Sequence, residues 1–219
     1  MGSNCPVIVE KQIIGAGKRR ALCYYCGSTD RERLLYVYLF DRLAIAEAGR
    51  MMILHIAPER NLFNRIRHNR NIVYICGDKR TGGYEDDYPE EVIPLDVLNL
   101  PFYDDTFDLI MCNHVLEHIP DDSSALKQLY RVLKPGGRAI LQVPISKVLK
   151  DTFEDVSIET PEDREKYFGQ FNHVRIYGED YASRIVAAGF QFQRITMHSQ
   201  GEYQLLGLNP DEDILIGMK

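Results

Sequence analysis

Imidazole, carboxylate, amide and thiol groups fall at a few places in this 219-residue chain. His55 and Glu59 bracket the run Leu54-His55-Ile56-Ala57-Pro58-Glu59, Asp78 closes an apolar stretch, and Asp96, Val97 and Leu98 form a short acidic-apolar triplet. Asn113-His114 and Glu117-His118 follow another apolar stretch; His173, Arg175 and Tyr177 stand together later, with Arg164 upstream and Cys5, Cys23 and Cys26 near the beginning. A carboxylate at the end of a strand suits a pair of vicinal hydroxyls, and one at a helix opening suits an ammonium group. An imidazole in a capping segment suits general-base work, an arginine suits an anion, and clustered thiolates suit zinc.

The elements that must position these groups follow from apolar periodicity. Residues 51–57 read as a first buried strand, 59–69 as a helix and 71–76 as a second strand with Asp78 just beyond it, which makes a βαβ unit. Asp78 lies 19 residues past Glu59, close to the separation at which an acid after the second strand accepts from both ribose hydroxyls of a nucleotide-like ligand. Residues 107–112 are almost uninterrupted apolar sequence, as expected of a parallel strand covered on both faces, so Asn113 and His114 fall at its carboxyl end. Asp121 and Asp122 start a helix whose stripe is Leu126, Leu129, Tyr130 and Leu133; Lys134-Pro135-Gly136-Gly137 stops it, and 139–143 is the next buried strand. Polar groups thus gather at one carboxyl edge of an open α/β sheet, where such sheets bind ligands.

The ordered set LPF-x-D-x-x-FD, HVLEHI and L-x-RVLKPGG, between Leu100 and Gly137, resembles the later half of a class I S-adenosylmethionine (SAM)-dependent methyltransferase. Residues 50–219 share the resemblance, most strongly over 96–144. It implies a Rossmann-like, doubly wound, mostly parallel sheet with an antiparallel edge strand, supplied here by 190–197 and 213–218 after a helix over 178–188 that Gly189 ends. It also implies SAM as cofactor and S-adenosylhomocysteine as product. Cofactor contacts are expected from His55 in the usual acidic position, Ala57, Glu59 near the ammonium group, Asp78 at the ribose, Asp96, Val97 and Leu98 at the adenine, and Asn113, His114 and His118 at the methionine end. The LHxAPE turn has no glycine, where relatives in general carry several. Residues 168–177, FGQFNHVRIY, resemble an FGQ-x-x-HVR-x-YG signature of the same subgroup. An acceptor cap over about 146–177 follows, with His173, and secondarily His114, as catalytic candidates and Arg164, Arg175 and Tyr177 as acceptor contacts. Structural roles for Glu117, His118, His173 and Arg175 are the bland alternative.

Composition bounds the rest. With 45% hydrophobic residues the chain can bury one full-sized α/β core and a small appendage. A formal charge of −6 speaks against nucleic acid as the main partner, although Lys18-Arg19-Arg20 offers a local basic contact. The absence of a long apolar run and of a signal-peptide core leads to the expectation of a cytoplasmic protein that does not enter membranes. Five cysteines suit reduced thiols, with Cys76 and Cys112 as buried hydrophobes. Asp78 to Tyr84 lacks both P-loop spacing and a dinucleotide fingerprint, which sets a nicotinamide enzyme aside.

Cys5-Pro6 and Cys23-Tyr24-Tyr25-Cys26-Gly27 resemble two zinc-ribbon knuckles, except that Ile8 stands where the first needs its second cysteine. Three thiols fall one short of a closed shell, so a decayed ribbon is favoured over bound zinc. Residues 1–28 are therefore expected to be a degenerate ribbon-like extension and 29–219 the methyltransferase domain. In that domain a helix over 31–48 turns Leu34, Leu35, Tyr38, Leu39 and Leu43 inward and its charges, Arg31 among them, to solvent. The expected reaction is methyl transfer from SAM to O or N of a small-molecule or saccharide-like acceptor, with a protein acceptor as a further option. The rival is a SAM-binding regulatory or scaffold protein without turnover, suggested by the glycine-free turn and the incomplete cysteine set.

Overall fold

A computed structural model describes residues 5–17, 21–79, 91–197 and 201–219, without the side chains of 202 and 204. The basic run at 18–20 and the loop at 80–84 lie outside the described residues. Alternation within the apolar runs builds three layers. In β2 (Met51–Ile56) and β5 (Phe107–Cys112), Leu54, Ile110 and Cys112 enter one core while Ile53, Leu109 and Met111 enter the opposite one. The first core is closed by α4 (Asp122–Val132) and α6 (Tyr181–Ala187) through Leu126, Leu129 and Ile185. The second is closed by α2 (Asp30–Tyr36) and α3 (Arg60–Ile66) through Leu34, Leu35, Leu62 and Ile66. Strands with both faces covered in this way read as continuous apolar sequence, which is why they were legible.

The central sheet has seven strands. From one edge they are β10 (Gln191–Ile195), β11 (Ile214–Met218), β6 (Leu133–Ile140), β5, β2, β3 (Ile72–Asp78) and β4 (Val92–Pro94). Parallel pairing joins β4, β3, β2, β5 and β6, and β11 is antiparallel to both of its neighbours. The antiparallel strand is therefore second from the edge rather than at it. From β2 the chain winds outward through β3 and β4 and then returns to β5 on the other side, so the topological switch point opens between β2 and β5.

Several boundaries differ from the sequence expectation. β6 begins at Leu133, not at 139, because Phe107 pairs with Leu133 before the register shifts; the Pro-Gly-Gly run bends an extended segment as well as ending a helix. The helix expected over 31–48 is α2 followed by a π-helical turn, Val37–Arg42, with Ala44 beyond it in the left-handed region at φ 48°. α2 starts with a complete capping box between Thr29 and Glu32.

Residues 5–17 do not form a separate extension. α1 (Pro6–Glu10) lies against α5 (Pro161–Phe168), and Ile8 and Ile13 share a small core with Phe168 and Ile176. β1 (Ile13–Ile14) pairs antiparallel with β7 (Ile145–Ser146), and Ser146 Oγ donates to the Lys11 carbonyl at 2.6 Å. Ile8, the residue that breaks the cysteine pattern, is thus a core residue of the cap. Within the cap, β8 (Phe153–Glu154) and β9 (Arg175–Ile176) pair antiparallel. No helix of the described residues is long and apolar enough to cross a membrane.

Candidate active site

Two cavities open at the carboxyl ends of the strands. One, of about 410 Å³, is lined by Ile56 and Ala57 after β2, Asp78 after β3, Leu95 to Leu98 after β4, and His114, Val115 and His118 after β5. The other, of about 420 Å³, is bounded by Ile8, Ile13 and 15–17 on the outside and by Arg31, His114, Glu117, His118, His173 and Arg175 within. His114, His118 and Gln170 belong to both, so the two cavities share a wall.

The first cavity owes its shape to two backbone features. Ala57 adopts φ 49°, the left-handed conformation that a glycine usually supplies at such a turn, while its N–H donates to the Gly77 carbonyl at 2.8 Å. The LHxAPE turn therefore lacks the glycine but keeps the conformation. Gly77 itself is required: a Cβ there would lie 2.5 Å from Leu95 Cβ, so only glycine lets β3 and the following loop approach so closely.

The polar groups of this edge divide into those already satisfied and those left open. His55 is fully buried, with Nε2 donating to Glu59 Oε2 at 2.7 Å and Nδ1 facing the Tyr74 hydroxyl at 2.6 Å. This corrects its expected cofactor contact, since both ring nitrogens are spent and its task is to position Glu59. Glu59 keeps Oε1 buried and without a hydrogen-bond partner among the described residues. Burial alone would raise its carboxyl, but the His55 hydrogen bond and the charges of His55 and Arg31 more than offset this and hold it below the usual carboxylate range. Asn113 is buried and both its amide atoms lack partners among the described residues. A buried amide and a buried carboxylate oxygen left open are costly unless a ligand completes them.

Asp78 and Asp96 both face the first cavity. Asp96 accepts from the Leu98 N–H at 3.0 Å and pairs with Lys79 at 2.8 Å; the Lys79 hydrogen bond is the main reason its carboxyl is held low. His114 sits at φ 54° with Nδ1 3.4 Å from Glu117 Oε1. Burial pushes Glu117 up to about 8, and its Oε2 has no partner among the described residues.

His173 lies on the second cavity, edge-on to His118 with ring centroids 4.7 Å apart. Burial first, then the neighbouring His118, pushes His173 down to about 3. That makes its ring a weaker proton acceptor than a free imidazole.

The expected acceptor contacts are corrected as well. Arg175 borders the cavity, but its guanidinium donates to the carbonyls of Leu116, Ile119 and Pro120 at 3.0, 2.6 and 2.7 Å and to Glu154 at 2.8 Å. Tyr177 is fully buried and donates to Asp122 at 2.8 Å. Arg164 lies outside both cavities, with Nε donating to the Ile158 carbonyl at 3.3 Å. Arg175 and Tyr177 fasten the cap; they do not present charge to a ligand.

The thiols are dispersed. Cys5 Sγ donates to the Glu165 carbonyl at 2.8 Å on the α1–α5 seam, whereas Cys26 Sγ lies 3.1 Å from Ser28 Oγ in its own turn with Cys23. Among the described residues Cys5, Cys23 and Cys26 do not form a metal-ligand group.

Arg31, expected in solvent, instead lines the second cavity and acts electrostatically on both Glu59 and Glu117. Gln170, Ile8 and Ile13 were missed too. Only the fold brings the amino-terminal segment to the far end of the sheet, and no local pattern announces that.

Residues 64–141 match a family model described as a methyltransferase domain. Over that stretch the chain is similar to a methyltransferase domain. Its match runs from α3 through β6, and so leaves out both the LHxAPE turn and the cap. The demethylmenaquinone methyltransferase of Streptomyces avermitilis is 48% identical over 46 residues, covering 21% of this chain and 20% of that protein. The ubiquinone/menaquinone biosynthesis C-methyltransferase UbiE of Pectobacterium carotovorum is 32% identical over 122 residues, 54% of this chain and 39% of that one. The matches thus span well under half the length of these relatives. Among solved structures, a SAM dependent methyltransferase from Archaeoglobus fulgidus superposes with a TM-score of 0.53 at 15% identity, over 85% of this chain and 94% of the other. A chain from the complex between the Haloferax volcanii Trm112 methyltransferase activator and a methyltransferase gives 0.53 at 12% identity, over 86% and 92%. Both show the shared fold.

Proposed function

We propose that this methyltransferase domain binds SAM in the first cavity and methylates a small-molecule acceptor held in the second. The observation that carries this reading is the wall of His114, His118 and Gln170 common to both cavities. Methyl transfer is an in-line displacement, and most of its acceleration comes from holding the acceptor and the methyl group together in a dry site. Two adjoining cavities at a topological switch point do that.

The residues present fit the cofactor. Asp78 would accept from the ribose hydroxyls, while Asp96, Val97 and Leu98 would border the adenine. Glu59 Oε1 and the Asn113 amide, both left open, would receive the methionine ammonium and its neighbours. When bound, SAM supplies an electrophilic methyl group on a sulfonium. The protein's own share is to orient, through Ala57, Gly77 and the His55–Glu59 pair, and to exclude water, through Ile8, Ile13 and the cap.

The relatives named for quinone C-methylation widen the acceptor atoms from O and N to an aromatic carbon beside a hydroxyl. An oxygen-bearing small molecule fits all three. Protein acceptors fit less well, since Ile8, Ile13 and residues 15–17 wall the second cavity. The left-handed Ala57 removes the main ground for a scaffold without turnover. Incubating the chain with SAM and a panel of quinols, phenols and sugar alcohols tests the proposal. S-adenosylhomocysteine should form with at least one oxygen-bearing acceptor; cofactor binding with no product across the panel would leave the scaffold.

A further inference from the structure

Glu117, His118 and His173 converge on the second cavity from two separate parts of the chain, the turn after β5 and the cap. One potential ligand atom from each lies within 4.8 Å of the other two. We propose that these three side chains form a binding site for a divalent transition metal, with its open position turned toward the acceptor cavity.

Ligand type and orientation support the site independently of the distances. His118 Nδ1 donates to the Asn172 carbonyl at 3.2 Å, and a ring nitrogen of His173 donates to the Phe168 carbonyl. Each ring therefore has one N–H fixed by a main-chain oxygen and one lone pair left over. This is the outer-shell pattern that orients a metal-binding imidazole. Glu117 supplies the carboxylate once the ion displaces its proton: its side chain is 98% buried, and Oε2 has no partner among the described residues. A carboxylate oxygen buried without a donor or cation is costly, and a metal ion at that point removes the cost.

Two imidazoles and one carboxylate suit zinc, iron(II) or cobalt(II), and leave a position for a further ligand. Donor atoms around a tetrahedral zinc stand roughly 3.4 Å apart, so the group would close by about an ångström on binding. Two imidazoles, one carboxylate and a divalent ion leave a net positive centre. Arg31 borders the same cavity and adds to it, while Arg175 is neutralised by Glu154 and Asp122. An acceptor whose hydroxyl ionises to an oxyanion is the chemical class this favours. Coordination lowers the hydroxyl's pKa, its proton leaves to water, and the resulting oxyanion, or the ring carbon it activates, attacks the methyl group while the C–S bond breaks; after attack by carbon, the proton on that carbon also leaves to water and the ring regains its aromaticity.

The role in turnover rests on the methyltransferase reading; metal binding does not. The test is cobalt(II) titration of the full chain after stripping with chelator, followed by visible absorption and metal analysis. One equivalent should bind with d–d bands, and Glu117→Gln, His118→Ala and His173→Ala should each weaken it at least tenfold. The triple variant Cys5→Ser, Cys23→Ser, Cys26→Ser should bind as the parent does. No cobalt bands, unchanged affinity in near-isosteric Glu117→Gln, or loss of binding in the cysteine variant would each overturn the site. Circular dichroism identifies any variant that fails to fold, and Glu117→Gln then decides. S-adenosylhomocysteine calorimetry on the stripped protein reads the cofactor site separately, so failure of the metal and failure of the methyltransferase reading are told apart.

Discussion

Replacing Arg175 separates a fastening role from an acceptor-binding role. Its guanidinium is 3% exposed and serves three main-chain carbonyls of the Leu116 to Pro120 turn together with Glu154. In Arg175→Ala the Ile119 and Pro120 carbonyls lose the guanidinium, while that of Leu116 keeps the Ile119 N–H at 3.2 Å; Asp122 and Glu154 remain bridged by Arg184 at 3.0 and 2.7 Å, so no carboxylate is stranded. Hydrogen bonds from a charged donor contribute about 1.5–3 kcal/mol each and do not add fully. With Arg184 still in place, the loss should be about 2–4 kcal/mol, the scale of one or two such bonds. For a chain of this size that lowers the melting midpoint by roughly 10 °C. Arg175→Lys should recover little, since one ammonium cannot reach the positions a planar fork serves. Thermal unfolding and S-adenosylhomocysteine calorimetry are the assays. The turn carrying His118 should loosen, and ligand affinity should fall with stability. An unchanged midpoint in either variant, with only acceptor KM raised, would refute the fastening role.

Gly77→Ala should force Leu95, 2.5 Å from the new Cβ, off the cavity wall and weaken S-adenosylhomocysteine binding roughly tenfold, the scale of a 1–3 kcal/mol overpacking strain; Leu95→Ala in the same chain should restore part of it. Native-state alkylation should label Cys26 first, where the Ser28 hydrogen bonds lower the thiol, and leave Cys76, pushed up to about 12 by burial, untouched; early labelling of Cys76 would contradict the buried strand. Burial acts to raise the Glu154 carboxyl, but its bonds to Arg184 and Arg175 win and hold it low. Its contribution is therefore present above the ordinary carboxylate pKa of about 4.3 and lost as pH falls through the lower folded value. Urea midpoints measured downward from pH 5 should fall less steeply in Glu154→Gln than in the parent.

Much of this architecture was legible because buried parallel strands are written as apolar runs, with the polar residues that follow them marking the ligand edge. Asp78 and Asn113 could be placed on that edge from the apolar runs they follow, and Asp96 through the family resemblance. What could not be read was where each polar atom spends itself. His55 occupies an acidic residue's usual place yet faces Tyr74 and Glu59, and Arg175 belongs to a cap signature yet is consumed by main-chain carbonyls. Arg31 looked solvated because its helix has charges on its outer face, and only the fold sets that first turn beside Glu59 and Glu117. The missing glycine at residue 57 was conspicuous in sequence, but the left-handed backbone that replaces it needs no glycine to form.

The most direct measurement is calorimetric titration of the intact chain and of Asp78→Ala with S-adenosylhomocysteine. One site per chain is expected in the parent, and removing a carboxylate that accepts from two hydroxyls should weaken it roughly a hundredfold or more, from about 1.5–3 kcal/mol for each charge-assisted bond. No binding in the parent, or the same affinity in Asp78→Ala, would contradict a nucleoside cofactor held at the end of β3.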